Sequence, residues 1–365
     1  MRIMSVVGAR PQFVKLAPID AAIRAKGVHE HLVVHTGQHY DPLMSDVFFA
    51  DLGIAPPTVH LEIGSASHGR QTGLMLEALE EVFSREQPDW VLVYGDTNST
   101  LAAAVAAVKI HQPLAHLEAG LRSWNRRMPE EHNRVLTDHA ADLLLAPTEL
   151  AATNLAREGL ADRTVVVGDV MADVLLQVAD GVRTDLDARL DRLGLGSERE
   201  YVVATLHGAD NTDDPDRLRA VLDAMGAVPV QVVLAAHPRL MARAAEFGIP
   251  LTDRGDSLRA CDPWPYPDLV AAVLGSSGVV TDSGGLQKET FLLGRPCTTV
   301  RTETEWMETL EDGWNVLDPT AANLSVLAAR PAPTVPQGAP YGTGDAAYRV
   351  ITALEAAENL TGRPG

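Results

Sequence analysis

Carboxylates, cations and one glycine-rich turn recur in this chain just past short apolar runs, where they could do chemistry on a polar substrate. Asp96 follows Trp90–Tyr94, and Glu118 follows Leu114–Leu117. Glu130 lies in the helix opening Pro129-Glu130-Glu131-His132-Asn133-Arg134. A glutamate at the end of an apolar strand, without capping spacing, costs desolvation free energy and points to function. Asp96 precedes Thr97-Asn98-Ser99-Thr100 and, taken alone, reads first as a helix N-cap. Carboxylates are electrostatically favoured in a first helical turn, so one of Glu130 and Glu131 is expected to be structural. Together Asp96, Glu118 and Glu130 form a general acid/base set.

Anion-binding groups stand at other strand ends. The run Val279-Val280-Thr281-Asp282-Ser283-Gly284-Gly285-Leu286-Gln287-Lys288-Glu289 reads as strand, turn and helix start. Gly284 and Gly285 let the backbone come close to a phosphate, and the Ser283 hydroxyl and the first free N–H groups of the helix then face it. The run matches neither the GxxxxGK[ST] nor the GxGxxG pattern. Glu289, one turn on, can reach a ribose; the alternative is a plain Gly-rich hairpin. After the first strand come Gly8-Ala9-Arg10-Pro11-Gln12 and Lys15. Arg10 can fork onto a phosphate and Lys15 adds a point charge, unless both are merely solvated cations at a helix start. His207 and His237-Pro238 stand at matching strand ends of the second half, where a histidine suits phosphate. Thr36-Gly37-Gln38-His39 is either a ligand contact or only a turn.

The elements that position these groups follow from periodicity. Ile3–Val7, Leu32–His35, Trp90–Tyr94, Leu114–Leu117, Leu143–Ala146 and Val165–Val167 read as strands, separated by helical patterns such as Val14–Ala25, Gly73–Ser84 and Thr97–Ile110. That alternation predicts βαβ units and a parallel sheet. The second half repeats it, with strands Tyr201–Leu206, Gln231–Ala235, Val279–Thr281, Cys297–Val300 and Asn315–Leu317 and helices Asp214–Ala224 and Gly285–Leu293. Arg330–Gly344 is Pro/Gly-rich loop, and Ala347, Val350, Ile351, Leu354 and Ala357 recur at helical spacing after it. The reading is α/β: two doubly wound domains, residues 1–169 and 170–345, then a terminal helix in 346–365. Such domains bind ligands at the carboxyl ends of their strands, in a cleft where they face each other. No repeat of 20–50 residues is evident.

Composition narrows the partners. The 365 residues suit two domains, and 46% hydrophobic residues suffice for two cores. No apolar run of about 18 residues predicts a spanning helix, and Met1 leads straight into a strand instead of a signal peptide. The formal charge of −19 repels nucleic acid and anionic membrane alike. Cys261 and Cys297 lack disulfide or metal spacing and read as core residues of a cytoplasmic protein.

With these residues assembled, the chain resembles the non-hydrolysing UDP-N-acetylglucosamine 2-epimerase family over nearly its full length. The resemblance rests on Gly8-Ala9-Arg10-Pro11, Gly95-Asp96-Thr97, Glu118-Ala119-Gly120-Leu121-Arg122, Pro129 to Arg134, Thr281 to Gln287, and Thr304-Glu305. It implies a GT-B fold of two Rossmann-like domains with the terminal helix crossing back to the first, and a homodimer needing neither metal nor cofactor. It implies that a UDP-sugar such as UDP-GlcNAc loses its C2 proton as UDP leaves C1, and that UDP returns with a proton on the other face. Asp96, Glu118, Glu130 and His207 become the catalytic candidates. Arg10, Lys15, Arg134, His207, Ser283, Gly284, Gly285, Glu289 and Arg301 become UDP and substrate contacts, and Gln38, Arg70, Gln71 and His237 a second ligand site.

Departures qualify that match. Where the family reads His-Arg-x-Glu-Asn, this chain has His207-Gly208-Ala209-Asp210-Asn211. The missing Arg serves bacterial members near an activating UDP-GlcNAc, so weakened or absent substrate activation is expected. Thr304-Glu305-Trp306 replaces the usual Thr-Glu-Arg-Pro-Glu and resembles a subgroup that includes epimerases of UDP-2,3-diacetamido-glucuronate. Rival readings are a GT-B glycosyltransferase, a hydrolysing epimerase and a silent UDP-sugar sensor. Deuterium entering C2 in D₂O separates an epimerase from a transferase or sensor, and product analysis separates the hydrolysing form.

Overall fold

A computed structural model of the chain describes residues 1–38, 54, 56–196, 199–251 and 257–358. Two compact units emerge, the first comprising Met1–Val174 and the chain from Pro340 onward, the second Leu175–Ala339.

The first unit holds strands β1 (Arg2–Val7), β2 (Glu30–His35), β3 (Val59–His60), β4 (Trp90–Tyr94), β5 (Leu114–Leu117), β6 (Leu143–Ala146) and β7 (Thr164–Val166). Helices α1 (Arg10–Lys26), α2 (His68–Glu86), α3 (Asn98–Lys109), α4 (Pro129–Ala140) and α5 (Glu149–Arg157) connect them. The strand order is β3-β2-β1-β4-β5-β6-β7, with every pair parallel. Both faces are covered, so the strands are apolar without alternation. Ile3, Val7, Trp90, Leu92 and Tyr94 pack one way, with Phe13, Leu16, Ile19 and Ile23 of α1. Met4, Val6, Val91 and Val93 pack the other, with Met75 and Leu79 of α2 and the alanines of α3.

Helix α6 (Val170–Arg183) leads into the second unit, which contains β8 (Tyr201–Thr205), β9 (Gln231–Ala235), β10 (Leu258–Cys261), β11 (Gly278–Thr281), β12 (Cys297–Thr299) and β13 (Asn315–Leu317). Its helices are α7 (Leu186–Leu193), α8 (Ala209–Thr212), α9 (Pro215–Gly226), α10 (Pro238–Glu246), α11 (Tyr266–Gly275), α12 (Gly284–Leu292) and α13 (Leu324–Leu327). This sheet is also parallel, in the order β10-β9-β8-β11-β12-β13. Cys297 is buried in its core, whereas Cys261 at the end of edge strand β10 is only half-buried, short of the core position its composition suggested. The short strands β3 and β10 were not expected from sequence.

Helix α14 (Ala346–Glu358) returns to the first unit, burying Ala346, Val350, Ile351 and Leu354 in the core shared with α1. Lys26 Nζ and His29 Nε2 meet its Glu355 at 2.5 and 2.9 Å. Among the described residues no helix is long and apolar enough to cross a membrane.

Candidate active site

In each sheet the connection reverses direction once, between β1 and β4 in the first unit and between β8 and β11 in the second. Turns at the carboxyl ends of such strands diverge and leave polar groups accessible. Apart from Arg70 and Gln71, which follow edge strand β3, the chemically promising residues follow strands at or next to these reversals.

In the first unit, the turn after β1 uses its own donors. The Gly8 and Ala9 N–H groups donate to Gln12 Oε1 at 2.8 and 3.0 Å, and Gln12 Nε2 donates to the Tyr94 carbonyl at 2.8 Å. Those donors are therefore committed within the protein. Arg10 opens α1; its side chain, like all of His39, lies outside the described residues. Lys15 forms an ion pair with Glu118, the two side chains being 16% and 13% exposed. Burial alone would lower the Lys15 ammonium, but Glu118 first, then Asp96 and Asp169, raise it above its ordinary value. Glu118 itself is held at a positive φ of 72°, uncommon for any residue but glycine.

Asp96 does not cap the following helix; the adjacent Thr97 does, its hydroxyl accepting from Thr100 N at 3.3 Å. The threonine is one residue closer to the helix start, and Asp96 is taken by a stronger partner. Its Oδ2 accepts from Arg134 Nε and Nη2 at 2.9 and 2.7 Å, and Asn133 Nδ2 donates to its carbonyl at 2.8 Å. Arg134 Nη1 also meets Glu131 Oε2 at 3.0 Å. Glu131 is the structural member of its pair, buried and accepting from Ser123 N, Ser123 Oγ and Trp124 N at 2.9, 3.0 and 3.0 Å. Burial would raise its carboxyl, but these donors and Arg134 hold it below the ordinary value. Glu130 is exposed, and its carboxylate has no partner among the described residues.

Asp96 and Glu118 thus share two cations: Lys15 and Arg134 each feel both carboxylates. Glu130 stands outside that cluster. Gln38 and Gln71 meet nearby at the start of α3, where Gln38 Oε1 accepts from Ser99 N and Oγ at 3.0 and 2.7 Å and Gln71 Oε1 accepts from Asn98 Nδ2 at 2.9 Å. Arg70 instead lines an open hollow with Glu62, Leu74 and Glu77.

In the second unit, Ser283 caps α12, its Oγ accepting from Leu286 N at 3.3 Å. Gly284 and Gly285 occupy the first turn, where N–H groups have no intrahelical acceptor. The turn after β8 is docked here by Asp282, a buried carboxylate that sequence reasoning did not single out. It accepts from His207 N, Gly208 N and Asn211 Nδ2 at 3.0, 2.8 and 3.1 Å. His207 therefore stands beside the Ser283 turn, its ring 5.3 Å from that of His237. His237 caps α10 through Nδ1, and burial, then His207, lower its imidazole below the ordinary value. Glu289 accepts from Tyr266 Oη at 3.1 Å, and Arg301 pairs with Glu305 at 3.2 Å. Trp306 is held by Lys288, whose Nζ lies 3.9 Å from the ring centre. Thr304 Oγ1 beside it donates to Gln287 Oε1 at 2.7 Å.

The chain is similar to known proteins over nearly its whole length. The family model described as UDP-N-acetylglucosamine 2-epimerase matches residues 21–355. The UDP-2,3-diacetamido-2,3-dideoxy-D-glucuronate 2-epimerase of Pseudomonas aeruginosa is 44% identical over 97% of this chain and 99% of its own. The crystal structure of the UDP-GlcNAc 2-epimerase of Methanocaldococcus jannaschii, in complex with UDP-GlcNAc and UDP, superposes with a TM-score of 0.80 at 34% identity, covering 98% of this chain and 100% of that one. The Neisseria meningitidis UDP-GlcNAc 2-epimerase bound to UDP-GlcNAc gives 0.79 at 25% identity, covering 98% and 100%.

Proposed function

Because the chain belongs to the UDP-N-acetylglucosamine 2-epimerase family, with the GT-B fold of that family, we propose that it inverts C2 of a UDP-N-acetylhexosamine, taking UDP-GlcNAc to UDP-ManNAc reversibly. The observation that carries this assignment is the pair of carboxylates, Asp96 and Glu118, set around Lys15 and Arg134 at adjacent strand ends. An unactivated C2–H is weakly acidic, so its removal must accompany loss of a good leaving group. One carboxylate takes the C2 proton while the C1–O bond breaks and UDP departs with its electron pair, leaving a glycal. UDP then re-adds at C1 as a proton reaches C2 from the other face. Glu130, exposed and unpaired among the described residues, is the third acid/base candidate.

The second unit takes the nucleotide. Ser283, the first N–H groups of α12 and His207 receive the β-phosphate, where negative charge grows as C1–O breaks, and Arg301 adds positive charge. Glu289 holds the ribose, kept in place by Tyr266. Tyr266→Phe removes that donor and is expected to weaken UDP binding about three- to tenfold by calorimetry, in line with the net worth of one hydrogen bond. Unchanged affinity would remove Glu289 from the ribose contact.

A second substrate reading is UDP-2,3-diacetamido-2,3-dideoxy-D-glucuronate, favoured by Trp306 and by the 44% identity to the Pseudomonas aeruginosa enzyme. Incubating both UDP-sugars in D₂O and following C2 by NMR decides between them. Deuterium entering neither would overturn the epimerase assignment. The same titration tests regulation. Gly208 stands where the family has its arginine and brings no guanidinium to the turn, where a Cβ would sit 2.9 Å from Asp282 Oδ2. The rate should rise hyperbolically with substrate; strong activation of UDP-ManNAc turnover by added UDP-GlcNAc would contradict this, and would return Gln38, Arg70, Gln71 and His237 to the role of activator site. The protein acts as a cytoplasmic homodimer on this reading, and light scattering that returns the 39.1 kDa of one chain would refute the dimer.

A further inference from the structure

Beneath the turns that carry Asp96 and Glu118 lies a buried polar chain that the reaction does not use directly. His116, on β5, is completely buried. Its Nε2 lies 2.8 Å from the Gly95 carbonyl, which can only accept, so Nε2 bears the hydrogen. Its Nδ1 meets Asp138 Oδ1 of α4 at 2.6 Å. The other oxygen of Asp138 accepts from Gly120 N at 3.1 Å and from Arg122 Nη1 at 2.7 Å. Arg122 in turn forks onto Glu158 with two bonds of 2.8 Å. Burial would raise the Asp138 carboxyl, but His116 and Arg122 hold it below the ordinary value.

Each end of this chain grips a turn next to a reacting group. The Gly95 carbonyl immediately precedes Asp96, and the Gly120 amide closes the turn that begins at Glu118. Both turns use left-handed backbone, with φ of 60° at Gly95, 72° at Glu118 and 84° at Gly120. The two glycines adopt it freely, whereas at Glu118 it persists only where the surroundings over-determine it. We propose that His116, braced by Asp138, is a positioning residue that locks the Gly95 and Gly120 turns together, so that Asp96 and Glu118 address one substrate carbon. This rests on the reading that those two carboxylates act at C2.

The two ring nitrogens can be separated by substitution, because an asparagine amide falls near the Nδ1 position and a glutamine amide near Nε2. His116→Asn keeps a donor to Asp138 and loses the Gly95 bond; His116→Gln keeps the Gly95 bond. The expected result is a fall in kcat for C2 deuterium exchange of about 100-fold in the asparagine variant, the scale of a 1 Å misplacement. KM and UDP affinity should stay within about threefold, and the glutamine variant should recover most of the rate. Equal kcat in the asparagine variant and the wild type would overturn the proposal. So would a folded glutamine variant as slow as the asparagine one, or slow where the asparagine variant does not fold. A wild-type protein that exchanges no hydrogen at C2 of any UDP-sugar would instead sink the epimerase reading itself.

Discussion

Glu118→Gln is expected to slow C2 exchange by about 10²–10⁴-fold, the usual contribution of a placed proton-transfer group. Glutamine nearly preserves the shape of the side chain, so the loss comes from chemistry more than from packing. It also strips Lys15 of its closest carboxylate, leaving a largely buried ammonium supported by Asp96 and Asp169 alone. UDP binding should survive, because the groups assigned to the nucleotide are mostly in the other unit. Deuterium exchange followed by NMR gives the first quantity and calorimetry with UDP the second. Exchange at the wild-type rate would show that Glu118 is an ion-pair partner and nothing more.

The largest expected effect on stability comes from Gly120→Ala. Gly120 sits at φ 84°, and a Cβ there would lie 2.4 Å from the Ala151 carbonyl oxygen, a backbone atom that cannot rotate aside. Its amide is committed to Asp138 and its carbonyl accepts from Asn154 Nδ2 at 3.1 Å. Left-handed strain plus a backbone clash should cost about 3–5 kcal/mol. For a unit of this size that lowers Tm by about 6–20 °C, read by calorimetry. A melting temperature within about 1 °C of the wild type would mean that β5 and α5 can part without penalty.

Much of this architecture is legible because strands buried on both faces are short apolar runs, and the residue after each run then stands out by its polarity. Asp96, Glu118, His207 and Ser283 were found that way. What stayed hidden is pairing across long stretches of chain. Nothing near Asp282 in the sequence says that it will dock the His207 turn, because its partners lie more than 70 residues upstream. The same holds for Lys15, drawn to Glu118 by tertiary packing after its spacing from Arg10 had suggested a phosphate ligand. Asp96 taken alone reads first as a cap because hydroxyl residues follow it, and sequence cannot rank two adjacent acceptors once Arg134 arrives from another helix. Edge strands β3 and β10 are short or polar and give little periodic signal.

The return of helix α14 to the first unit bears on how the protein is made. Ala346, Ala347, Val350, Ile351, Ala353 and Leu354 complete a core whose other buried members are translated before Val174. Leu175–Ala339, by contrast, is contiguous in the chain. At typical synthesis rates the ribosome needs roughly 10–30 s to pass from one boundary to the other. During that interval the amino-terminal sheet stands with one helix layer unfinished. The sheet carrying the carboxylates is therefore completed by a helix that follows the whole of the second unit in sequence.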